Sequence, residues 1–148
     1  FRVGGKSVGI AVLVLDFLKA FIPVLIARWL LNLPDTSLFL IAFAPMFGHA
    51  FSLFLRFRGG RGITSLFGVW AGLTLYEVPL VLGGVAIAST FIIKNDELKT
   101  LLLPIVACIF LIATGKPTWM ILLAVAQLVI LLVKIIPYYL ASSKADSV

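Results

Sequence analysis

The chain has 148 residues, 62% hydrophobic and 12% charged, with a mean hydropathy of +1.20 and a formal net charge of +6. Soluble domains are about 45–50% apolar and about 25% charged, and a short soluble fold keeps much of its surface in water. A water-soluble enzyme, a nucleic-acid-binding domain and a disordered chain are therefore excluded, and at roughly 20 apolar residues per membrane-spanning helix the length predicts one all-α transmembrane domain, 1–148, of about six helices.

Six apolar stretches follow one another: Val8–Leu31, Ser37–Leu55, Ile63–Tyr76, Val78–Ile93, Leu98–Thr114 and Thr118–Leu140. The breaks between them carry Gly, Pro or charge, as turns between helices do. They are Asn32 to Asp35, Arg56 to Gly62, Glu77 with Pro79, Lys94 to Glu97, and Gly115 to Pro117. The runs are continuous and lack the alternation of barrel strands, and such short connections make successive helices antiparallel. The third and fourth stretches are short for a full crossing, which predicts tilt, partial insertion or a continuation past these bounds.

In the first stretch, Asp16 and Lys19 stand three residues apart on one helix face. Ionisable side chains inside a span are costly and mark functional candidates, although a mutual ion pair that locks helices together fits the same spacing. Counted from Val8, Lys19 lies about 16 Å along the helix at 1.5 Å per residue. Meeting a soluble phosphate there requires tilt or a re-entrant, water-filled cleft.

The second stretch ends in the most informative segment, Gly48 to Ser65. It holds the lone histidine, His49, then Arg56, Arg58 and Arg61, with Gly59, Gly60 and Gly62 around the last. Glycines let the backbone turn sharply and approach a ligand closely, arginine forks match phosphate oxygens, and the next helix offers its N-terminal amides with Thr64 and Ser65 in the first turn. Two readings stand: a phosphate-binding bend, or a basic anchor on anionic headgroups. The interleaved glycines favour the bend. The spacing does not match a nucleotide-binding loop. His49 is a candidate acid or base, or a hydrogen-bonded packing residue.

Further along, Gly68 with Gly72, and the pair Gly83 and Gly84, predict close helix approach. Pro23, Pro45, Pro104 and Pro137 interrupt helices and read as packing irregularities. Glu77 is expected at the end opposite the arginine bend. Cys108 stands alone in an apolar run, so no disulfide framework or metal cluster is expected. If all six stretches cross and the first residues are cytoplasmic, nine basic residues fall inside: Arg2, Lys6, Arg56, Arg58, Arg61, Lys94, Lys99, Lys134 and Lys144. Arg28 and Lys116 fall outside, and Lys19 within a helix. The positive-inside rule supports that orientation.

Two stretches carry a family resemblance. Gly5-Lys-Ser-Val-Gly-Ile with Leu15-Asp-Phe-Leu-Lys-Ala-Phe-Ile-Pro23, and Phe47-Gly-His-Ala-Phe-Ser-Leu-Phe-Leu-Arg-Phe-Arg-Gly-Gly-Arg-Gly-Ile-Thr-Ser65, are similar to motifs of the bacterial acyl-phosphate glycerol-3-phosphate acyltransferases of the PlsY type. The resemblance implies a membrane enzyme of seven helices, the first of which would precede Phe1, with its active-site loops at the cytoplasmic face of the plasma membrane (the inner membrane). It implies acyl transfer from acyl phosphate to glycerol 3-phosphate, giving lysophosphatidic acid for phospholipid synthesis, with no cofactor, metal or coenzyme A. On it, Lys19, His49 and Arg61 are catalytic, Asp16 supports them, and Arg56, Arg58, Gly59, Gly60, Arg61, Gly62 and Thr64 hold substrate phosphate. Partners are then the two substrates and membrane lipid.

Two departures stand out. Arg61 replaces the family's lysine in the Gly-Gly-Lys-Gly loop, and Lys134-Ile-Ile-Pro-Tyr-Tyr139 stands where the family has His-Arg-Glu-Asn. The alternative they leave open is a non-catalytic relative that binds a phosphate-bearing lipid or metabolite. A channel or transporter would need more intramembrane polar groups than Asp16, Lys19 and Gln127.

Overall fold

The structure, a computed structural model, describes residues 5–51 and 62–145. Its elements are helical throughout: α1 (Gly5–Leu25), prolonged by a π-helical turn (Ile26–Leu30), α2 (Asp35–Ala50), α3 (Ile63–Thr74), α4 (Glu77–Ile92), α5 (Asp96–Ala113) and α6 (Thr118–Ala145). Most helix ends fall within three residues of the expected bounds, because the turn chemistry is local, but α2 stops at Ala50 rather than Leu55 and α6 runs on to Ala145 rather than Leu140. Asn32 takes φ 47° where α1 ends, a conformation Asn tolerates better than most residues. Pro34 then stands extended before Asp35, whose charge suits the N-terminal end of α2. Asn95 caps α5, its side chain accepting from the Glu97 and Leu98 amides.

Segments Ser7–Leu30 and Thr118–Ile136 are each long and apolar enough to cross a membrane, whereas α3 and α4 have 12 and 16 residues. The outer face is as apolar as the interior. Phe91 and Ile92 are 86% and 80% exposed while Trp70 is fully buried, the expected pattern where lipid is the solvent.

The shortest helix is the axis of the bundle. Nine of the 12 residues of α3 are buried, from Ser65 to Thr74. It runs parallel to α1, and Gly68 and Gly72 make that seam close. A Cβ added at Gly68 would stand 2.5 Å from the Phe17 carbonyl oxygen, and one at Gly72 2.8 Å from Val24 Cβ. The expectation for this glycine pair holds. That for Gly83 and Gly84 does not: an added Cβ meets nothing within 4 Å at either, so α4 turns them outward rather than toward a neighbour.

On its other side α3 reaches α6, where Trp70 Nε1–H donates to Gln127 Oε1 at 2.9 Å with both residues fully buried. Gln127 is thus tied into the core and does not line a polar path. The far end of the bundle is marked by Glu77, whose Oε2 is 2.5 Å from Lys116 Nζ, an ion pair by distance without hydrogen-bond alignment. Glu77 therefore sits at the opposite end of α3 from Gly62, as anticipated.

Candidate active site

Three helices converge where α2 ends and α3 begins. Asp16 and Lys19 come from the middle of α1, one turn apart on one face, and Lys19 Nζ donates to Asp16 Oδ1 at 2.5 Å. His49 comes from the last turn of α2. Its Nδ1 lies 3.3 Å from Lys19 Nζ and 3.5 Å from Asp16 Oδ1. One ring nitrogen cannot serve both neighbours at once. Accepting from the ammonium leaves the ring hydrogen on Nε2, whereas donating to the carboxylate leaves the Nε2 lone pair available as a base.

The other edge of the imidazole faces the start of α3. Gly62 caps that helix with φ +70°, and a Cβ built on it would meet His49 Cδ2 at 3.4 Å and Met46 Cγ at 3.7 Å. The left-handed backbone calls for glycine here, with the histidine in ordinary contact at its back. The first bond of the α3 ladder joins Leu66 N–H to the Gly62 carbonyl at 2.9 Å. The amides of Ile63, Thr64 and Ser65 consequently precede the ladder at a positive dipole end. Thr64 is half-buried in this turn. Ser65 is fully buried, its hydroxyl donating to the Asp16 carbonyl at 3.3 Å.

The depth of this cluster answers the question raised by Lys19. Along α1 it lies about 18 Å from Ser7 at 1.5 Å per residue. The end of α2 and the start of α3 stand at that same level, because His49 contacts Lys19 and Ser65 contacts Asp16. The connection between α2 and α3 thus begins and ends at the depth of the polar cluster. The structure brings together Asp16, Lys19, His49 and Gly62, with Thr64 in the adjoining turn. Arg56, Arg58, Gly59, Gly60 and Arg61 lie outside the described residues.

A groove of about 510 Å³ runs from the cluster between α1 and α2, lined by Lys19, Pro23, Ile41, Ala44, Pro45, Gly48 and His49. Its walls are apolar and its polar groups sit at one end. The sequence reading passed over it, treating Pro23 and Pro45 as irregularities. The available signal was the row 41, 44, 45, 48 at i, i+3, i+4, i+7, a helix face made largely of small residues that leaves room beside α1.

A model of the glycerol-3-phosphate acyltransferase family matches residues 1–138. Among curated relatives, the glycerol-3-phosphate acyltransferase of Anaeromyxobacter sp. is 42% identical over 103 residues, covering 66% of this chain and 51% of that protein. That of Coxiella burnetii is 33% identical over 120 residues, covering 80% and 61%. The chain therefore spans between about half and three fifths of the length of these relatives. Among solved structures, the integral membrane glycerol 3-phosphate acyltransferase PlsY in its glycerol 3-phosphate form superimposes with a TM-score of 0.83 at 26% identity. The match covers 97% of this chain and 72% of that one. The lysophosphatidic acid form gives 0.82 at 28% identity, covering 95% and 73%.

Proposed function

The chain belongs to the glycerol-3-phosphate acyltransferase family, and we propose that it transfers a fatty acyl group from acyl phosphate to glycerol 3-phosphate, forming lysophosphatidic acid and inorganic phosphate. The observation that carries this reading is the Asp16–Lys19–His49 cluster standing at the head of an apolar groove. A long-chain donor has that same division, with an anionic head and a hydrocarbon tail. The groove between α1 and α2 takes the tail, which leaves the acyl phosphate head beside Lys19 and His49.

Lys19, His49 and Arg61 are assigned to catalysis, with Asp16 holding Lys19 and His49 in place. Arg56, Arg58, Gly59, Gly60, Arg61, Gly62 and Thr64 are assigned to substrate phosphate. Lys19 and the arginines neutralise the two phosphate groups, which otherwise repel each other as the reactants approach. Donor and acceptor are held in reacting order. The acceptor hydroxyl oxygen bonds the acyl carbon, the bond from that carbon to the phosphate oxygen breaks, and the hydroxyl proton passes to a phosphate oxygen. Acyl phosphate is already activated, and direct transfer requires no acyl-enzyme intermediate. The protein is placed in the plasma membrane with the active-site end cytoplasmic, a reading supported by the positive-inside count of nine basic residues to two if all six stretches cross.

The test is phosphate release and lysophosphatidic acid formation by the purified protein in lipid nanodiscs, given acyl phosphate and glycerol 3-phosphate. Turnover abolished by Arg61→Ala is the expected result. Binding of glycerol 3-phosphate without turnover would replace the proposal by a non-catalytic, phosphate-binding role.

A further inference from the structure

Asp16 and Lys19 meet His49 only if α1 holds one axial position along α3, and two side chains fasten the seam at its two ends. At the cluster, the buried Ser65 hydroxyl donates to the carbonyl of Asp16 itself at 3.3 Å. At the far end, Trp29 Nε1–H donates to the Gly72 carbonyl at 2.9 Å. That oxygen lies in the last turn of α3, where carbonyls lack helical partners. Between the fasteners, Gly68 and Gly72 bring the helices into backbone contact.

Trp29 lies within the π-helical turn that prolongs α1. The face of α1 against α3 runs through Phe17, Ala20, Phe21 and Val24. An α-helical continuation would next offer residues 27 and 28. In a π turn, whose bond here joins Leu31 N–H to the Ile26 carbonyl at 3.0 Å, positions five apart align. Ala27 stays buried on that face, and Trp29, 48% exposed, reaches the seam from its edge. Side chains of a helix lean toward its N-terminus, so the indole reaches back to Gly72.

We infer that Trp29 and Ser65 are positioning residues, setting the register of α1 on α3 and through it the meeting of Asp16 and Lys19 with His49. This role rests on the proposed acyl transfer for its effect on rate. Its effect on geometry can be read independently, because His49 is the only histidine in the chain and its ring nitrogens give an unambiguous magnetic resonance signal.

The experiment records the His49 imidazole ¹⁵N resonances and acyl transfer in nanodiscs for the wild type, Trp29→Phe, Ser65→Ala and Trp119→Phe. Trp119 serves as the control, since its buried indole N–H has no hydrogen-bond partner among the described residues and it stands at the start of α6. Trp29→Phe and Ser65→Ala are expected each to shift the His49 resonances and lower turnover about threefold to tenfold, the loss expected of one hydrogen bond. Trp119→Phe is expected to leave the resonances in place. Unmoved His49 signals in both seam variants would overturn the inference, as would an equal shift in Trp119→Phe. A wild type without acyl transfer whose His49 signal still responds to the seam variants would overturn the functional reading and leave the positioning role standing.

Discussion

The ammonium of Lys19 stands 3.3 Å from Nδ1 of His49, thirty positions further along the chain, and Asp16 reaches both. The carboxylate therefore holds the cation in place and competes with it for the imidazole.

Replacing Asp16 by Asn keeps the shape and removes the charge that holds Lys19. Charge-assisted hydrogen bonds contribute about 1.5–3 kcal/mol, so turnover of Asp16→Asn is expected to fall by about tenfold to a hundredfold. The measurement is phosphate release at saturating substrates, beside a thermal unfolding curve that shows the variant still folded. An unchanged rate would remove Asp16 from the site.

Gly62→Ala places a side chain on a left-handed backbone. A non-glycine residue at φ +70° carries about 1–2 kcal/mol of backbone strain, while the new methyl would rest in ordinary contact with His49. Both the unfolding midpoint and the acyl transfer rate are expected to drop. A variant with wild-type stability and rate would show that this position tolerates a side chain at a positive φ.

Gly48 lies on the groove wall with open space around it, so a larger side chain enters the groove without a clash. Gly48→Leu is expected to shift preference toward shorter acyl phosphates while leaving the KM for glycerol 3-phosphate near its wild-type value. Competition between donors of different chain length checks this. Unaltered chain-length preference would place the tail elsewhere.

Trp70 and Gln127 test the core separately from the chemistry. Either Trp70→Phe or Gln127→Leu strands a fully buried polar group, at about 1–3 kcal/mol. The double variant strands none and is expected to recover most of the loss, a coupling that a double-mutant cycle on unfolding midpoints measures.

Much of this arrangement was legible from residue spacing. The helix bounds followed from Pro, Gly, Asn and charge at the breaks, and the i, i+3 spacing placed Asp16 and Lys19 on one face. The glycines at 68 and 72 announced a close seam. What periodicity cannot show is which apolar face turns inward, because lipid-facing positions such as Ile92 are as hydrophobic as buried ones such as Leu66. For that reason Gly83 and Gly84 resembled a packing motif and face outward, and the central place of α3 was invisible. The Trp70–Gln127 bond joins residues 57 apart, beyond any local pattern. Nothing in Ile26–Leu30 signals a π turn. Asp16, Lys19 and His49 each stood out in the sequence, but their meeting emerged only once the helices were placed together.

Among the described residues the groove beside His49 is lined by α1 and α2 alone and stands open along its flank. A donor whose tail lies there can arrive and depart by lateral diffusion in the bilayer plane, without passing through water. Rates should then follow the mole fraction of donor among the surrounding lipids. Diluting the bilayer with inert phospholipid at constant bulk donor concentration should slow turnover, whereas adding buffer around the same vesicles should not.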